Sequence, residues 1–161
     1  MEQIPLALAL LAIVVALSQR RTRWARPSLW VSRLAYAGLV LQAPLYFLAK
    51  SGFRITSPDC QWTFGPALAM HSLTNYGHII LFMVFFLLTY AQLPGVPRRI
   101  VWSVAATLAM GLLVELAQGV SGHGNCRMRD LIPDALGALL GVVIVSGATK
   151  LSLDRQRRRE P

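Results

Sequence analysis

Long apolar stretches, rather than strand-like alternation, dominate the chain. Residues 29–49, 75–93, 100–120 and 131–149 are runs rich in Leu, Val, Ala, Phe and Ile. A helix rises about 1.5 Å per residue and a hydrocarbon core is roughly 30 Å thick, so about 20 such residues suffice to cross it. A fifth run, 4–18, is shorter and is opened by Pro5. The pattern predicts an all-α, polytopic transmembrane bundle of five spans, the first of them marginal. It divides the chain into an N-terminal anchor (1–18), a four-helix membrane domain (29–149) and a tail (150–161). A cleavable secretory signal carries its positive charge ahead of the apolar stretch. Here Glu2 precedes the stretch and Arg20, Arg21, Arg23 and Arg26 follow it, so it reads as an uncleaved anchor with its N-terminus outside.

Composition agrees with a bilayer environment. Of 161 residues, 55% are hydrophobic and 14% charged, against about 25% charged in an ordinary soluble domain. The net charge of +9 would suggest nucleic acid in a soluble protein, but its placement points elsewhere. Four Arg lie in the segment 19–28, two at Arg98 and Arg99, and five basic residues (Lys150, Arg155, Arg157, Arg158, Arg159) in the tail, together eleven of the sixteen Lys and Arg. Positive residues collect in cytoplasmic loops, which predicts an N-outside, C-inside topology. The basic tail then serves orientation and attraction to anionic lipid, with no nucleic-acid partner. Both cysteines, Cys60 and Cys126, fall on the outer side, where thiol pairs oxidise; a Cys60–Cys126 disulfide is expected, two separate buried thiols being the alternative. The outer loop 50–74 offers Trp62 and Phe64 as interface anchors, and its ALAMHSLT segment reads as a short helix.

Charged groups inside a membrane call for a partner. Glu115 and Gln118 are three apart and share a helical face; Asp130 and Asp134 are four apart and share another. Asp130 is placed to cap the helix that follows, with Pro133 tolerated in its first turn. At about 1.5 Å per residue both Glu115 and Asp134 lie roughly 6–8 Å inside the outer helix ends. The Asp134 face continues through Gly137 and Gly141, a small-xxx-small pair that permits close helix approach, with Ala105, Ala109 and Gly111 as counterparts in a hairpin of the last two spans. His78 is placed at the same end, as are His71 and His123, while Arg127 and Arg129 flank the cluster as cationic partners.

The order Glu115-x-x-Gln118, then Asp130-x-x-x-Asp134-x-x-Gly137-x-x-x-Gly141 resembles the signature half of VanZ-like membrane proteins, and His78 matches the histidine that opens an earlier span in that family. The resemblance covers residues 29–149 and is strongest over 112–143. Three positions depart from it: Asp134 stands where the family usually has Asn, His123-Gly124 replaces a Gly-Arg pair, and Thr74-Asn75 replaces an acidic pair. The resemblance implies an integral membrane protein of the type named for a glycopeptide-resistance accessory protein that affects teicoplanin susceptibility. It implies a cell-envelope role in a bacterial cytoplasmic (inner) membrane.

Three readings of the polar residues stay open. In the first they form a structural clasp, with Glu115 paired to Arg127 or Arg129. In the second His78, Glu115, Gln118, Arg127, Arg129, Asp130 and Asp134 line an outward-facing pocket for an envelope lipid or a lipid-linked glycan. In the third, Glu115, Asp134 and His78 perform acid–base chemistry on an envelope lipid; no nucleophile motif or phosphate loop accompanies them. None of the strong zinc spacings is present, so no metal and no cofactor is expected. The cytoplasmic halves of the spans read as nearly free of polar groups, which argues against a conduction path.

Overall fold

In a computed structural model of the chain, the described residues are 25–58, 60–122 and 125–158. Among them the architecture is all helical: α1 (Ala25–Lys50), α2 (Pro66–Leu73), α3 (Tyr76–Gln92), α4 (Arg99–Ser121), a 3₁₀ turn (Met128–Asp130) and α5 (Leu131–Arg157). The segment 4–18, its anchor assignment and His123 lie outside the described residues.

Two helices among the described residues, α4 and the continuous Met128–Arg157 stretch, are long and apolar enough to cross a membrane, or three if α2 and α3 form one broken span. This is fewer than the five predicted. The run 29–49 forms a helix of 26 residues, with Arg33, Gln42 and Pro44 set among its apolar positions. The run 75–93 forms α3, and the short upstream helix α2 meets it at a bend of 68°. Pro66 starts α2, where a missing N–H costs nothing. Thr74 ends it, and Asn75 leaves the helical region at φ −79°, ψ 68°, so the chain turns before α3 begins. Gly122 closes α4 in the left-handed conformation at φ 62°, as helix C-termini favour.

The most extensive helix contact joins α3 to α5, and glycines make it possible. A Cβ on Gly137 would fall against the Ile79 carbonyl and Met83 amide of the α3 backbone, and one on Gly141 would enter the Phe86 ring. The Gly137/Gly141 stripe therefore receives α3, which corrects the expected close hairpin with the 100–120 helix. The reason is visible on α4: Ala105 and Ala109 lie on its exposed face, and Gly111 faces Asp134. Around this contact Phe82, Phe85 and Met110 pack with Tyr36, Leu39 and Val40 of α1, while Phe86, Ala138 and Val145 pack with Ile100 and Val104. Leu108, Leu112 and Leu116 on α4, with Leu139, Val143 and Ile144 on α5, remain exposed, an outer surface suited to hydrocarbon.

The two ends of the helices differ in chemistry. At one, Gln92 Nε2 donates to Ser32 Oγ at 2.8 Å, Arg99 Nε donates to the Tyr90 carbonyl at 2.7 Å, and Arg98 is the N-cap residue of α4. Slightly deeper, Tyr36 and Thr89 hydroxyls pair at 2.7 Å, and the buried Ser103 and Thr107 donate to carbonyls one turn back, at 2.8 and 2.7 Å. This half is thus richer in polar groups than the sequence reading allowed; hydrogen bonds within and between helices keep those groups inside an apolar bundle. The other end carries the acids and the cysteines.

Because the α3 backbone lies where a Gly137 side chain would go, Gly137→Leu should destabilise the bundle by about 3 kcal/mol. Gly147, with nothing within 4 Å of its Cβ position, gains helix propensity on Gly147→Ala, up to about 1 kcal/mol. Thermal unfolding in detergent checks both: a large drop in Tm for the first, none for the second.

Candidate functional site

Asp134 stands one turn into α5 and is 1% exposed. It fits there because Gly111 on α4 has no side chain; a Cβ at Gly111 would collide with Asp134 Oδ2. A carboxylate so enclosed needs a donor, and His78 supplies it from the first turn of α3, its Nδ1 standing 3.0 Å from Asp134 Oδ1. The His78 side chain is 28% exposed, and among the described residues its Nε2 makes no hydrogen bond. With Nδ1 donating to Asp134, Nε2 is an acceptor in the neutral ring and a donor in the imidazolium.

Glu115, also 1% exposed, accepts the backbone N–H of Arg127 at Oε2, 2.6 Å away. The expected ion pair with an Arg127 or Arg129 guanidinium is replaced by this amide, and Arg127 Nε is buried without a hydrogen-bond partner among the described residues. Asp130 occupies the N-cap position of α5 but makes no side-chain capping bond, since its own backbone is already helical at φ −74°, ψ −9°. Its Oδ1 instead accepts Ser72 Oγ at 3.0 Å, tying α2 to the start of α5. Nothing in the sequence reading singled out Ser72.

Three carboxylates from two helices and a turn thus take three donors from three other places: a histidine ring, a hydroxyl and a loop amide. All lie within electrostatic reach of His78. Gln118 is half-buried one turn beyond Glu115 and Arg129 half-buried in the 3₁₀ turn; no contact brings either onto the His78–Asp134 pair. His71 is exposed on α2, where its carbonyl accepts Thr74 Oγ1 at 2.7 Å. Among the described residues no group of three or more His, Cys, Asp or Glu is arranged to hold a metal ion.

The loops at this end are stitched together. Cys60 and Cys126 form a disulfide with Cα atoms 4.7 Å apart. Gln61 N donates to the Cys126 carbonyl at 2.9 Å, Met128 N to the Gln61 carbonyl at 3.2 Å, and Thr56 N to the Val120 carbonyl at 2.8 Å. Gly119 makes room for the disulfide, because a Cβ there would press on both sulfurs. The arrangement can offer one imidazole nitrogen to a ligand from a scaffold whose carboxylates are already satisfied.

A family model described as VanZ/LLP1 matches residues 4–150. The match takes in the N-terminal apolar segment as well as the helices that build the acidic cluster. No curated protein and no solved structure gives a significant match. With nearly its whole length aligned to that one model, and with its acids and histidine gathered at one end of an apolar helical bundle, the chain belongs to the VanZ/LLP1 family.

Proposed function

We propose that this protein is a multi-pass component of a bacterial inner membrane whose acid–histidine end faces outward and binds an envelope lipid or a lipid-linked glycan. The observation that carries the reading is the asymmetry of the His78–Asp134 pair: the carboxylate is 1% exposed and the imidazole 28%. Asp134 holds the ring through Nδ1 and Nε2 has no hydrogen bond among the described residues, an arrangement suited to a hydroxyl or phosphate oxygen of a headgroup. In this reading Glu115, Asp130 and Ser72 hold the mouth in shape, and Gln118, Arg127 and Arg129 lie at its margin. A role in envelope physiology, glycopeptide susceptibility of the teicoplanin type included, follows from binding such a ligand. A second reading is favoured by a specific observation: Glu115, Asp130 and Asp134 each already have a donor, as a purely structural clasp requires.

The orientation proposed rests on charge. Arg98, Arg99 and the Lys150–Arg157 end of α5 stand opposite the disulfide end, and the basic end is the cytoplasmic one. A green fluorescent protein fused after residue 161 should fluoresce, and alkaline phosphatase fused there should be inactive; the opposite pair of results refutes the topology.

His78→Asn keeps an N–H able to reach Asp134 and removes Nε2. Purified in mild detergent, the wild-type protein should carry a polar lipid enriched over the bulk membrane. His78→Asn should keep its melting temperature within a few degrees and lose that lipid about tenfold, the loss of about 1.4 kcal/mol that one hydrogen bond to a charged group can account for. Lipid mass spectrometry decides: equal retention in the variant leaves the clasp.

A further inference from the structure

We infer that the Cys60–Cys126 disulfide is a thiol-sensitive latch on the Glu115 side of this site, whose cleavage releases the Arg127 amide from the buried carboxylate. Its effect on a ligand rests on the function proposed above; its effect on Glu115 does not.

Three features of the loops carry the inference. The first is access. Cys126 is 3% exposed and Cys60 half-buried, so an incoming thiolate reaches Cys60. The thiolate of a dithiol bonds to Cys60 Sγ and the Cys60–Cys126 bond breaks. Cys126 Sγ leaves with the electron pair and takes up a proton. The second thiol of the reagent then displaces Cys60, so that the dithiol ends as a cyclic disulfide and both protein sulfurs as thiols.

The second feature is space. Two free thiols stand at van der Waals distance, roughly 3.5–4 Å, and the α4 side offers no room for the added separation. A Cβ on Gly119 would already lie 2.8 Å from Cys60 Sγ and 3.3 Å from Cys126 Sγ. The loops must therefore part away from α4.

The third is connection. Gln61, next to Cys60, is bonded through its N–H to the Cys126 carbonyl and through its carbonyl to the Met128 N–H. Those two residues flank Arg127, whose own N–H is the donor to Glu115. Outward movement of the Cys60 loop thus pulls on both sides of the one amide that satisfies Glu115. Without that amide a carboxylate 1% exposed has lost its donor in a place that water reaches poorly, and it must recruit water or move. The 3₁₀ turn that follows carries Asp130, so the disturbance continues toward Ser72.

The test uses the full-length protein in nanodiscs of phosphatidylethanolamine and phosphatidylglycerol, with and without dithiothreitol, followed by amide hydrogen exchange and mass spectrometry. Reduction should raise exchange across residues 125–130 about tenfold while residues 82–88 of α3 keep their protection, since local opening and global unfolding are separable in such data. A Cys60→Ser/Cys126→Ser variant should show the same local increase without dithiol. If that variant fails to fold, the reduced wild-type protein alone decides. Three results overturn the latch: unchanged protection at 125–130, an equal rise in α3, which marks a general staple, or a disulfide that resists the dithiol while the protein is folded. Lipid content is read in parallel. Local opening on reduction with no enriched lipid in either state upholds the latch and refutes the binding function.

Discussion

Carboxylates enclosed by apolar helices must each find a donor, and that requirement organises one whole end of this protein. Glu115 and Asp134 are both 1% exposed, in helices otherwise composed to meet hydrocarbon. An unsatisfied charge at such a position costs several kcal/mol. The bundle answers by bringing a different element to each acid: α3 through His78, α2 through Ser72, and the loop after α4 through the Arg127 amide. The bend between α2 and α3 has a purpose in this light. It lets Ser72 and His78, six residues apart in sequence, address Asp130 at the N-cap of α5 and Asp134 in its first turn.

Glycines permit that arrangement where an ordinary side chain would forbid it. Gly111 leaves the volume that Asp134 fills, Gly119 the volume that the disulfide fills, and Gly137 and Gly141 the surface on which α3 lies. On α4, positions 111, 115 and 119 follow at four-residue spacing, so one helical face presents in turn a seat for a carboxylate, a carboxylate, and a seat for the disulfide. The acid cluster and the disulfide are consecutive features of one stripe, which is why the chemistry of the loops bears on the chemistry of the site.

The apolar runs at 100–120 and 131–149 were legible because nothing in them competes with a helix, and α4 and α5 occupy them. Glu115, Asp134 and, in the run 75–93, His78 stood out because ionisable residues are so few in the apolar runs. The run 29–49 was legible as a helix as well, although Arg33, Gln42 and Pro44 lie within it. The partner of the Gly137 stripe was not legible: small residues say that something approaches closely, and only the packing of Phe82 and Phe86 says that it is α3. Least visible of all were the donors. A backbone amide such as that of Arg127 has no signature in sequence, and Ser72 looks like any hydroxyl in a short helix. The charged side chains nearby, Arg127 and Arg129, therefore seemed the natural partners of Glu115 when the main chain in fact serves.

Acid and donor stabilise one another across the helix contacts, and a double-mutant cycle on His78 and Asp134 measures that coupling. His78→Ala, Asp134→Ala and the double variant would be unfolded reversibly in the same detergent. A coupling of about 1–3 kcal/mol is expected, the double variant being far less damaged than the two single losses together imply, because each single variant leaves one buried group unpaired. Strict additivity, with a coupling indistinguishable from zero, would contradict it.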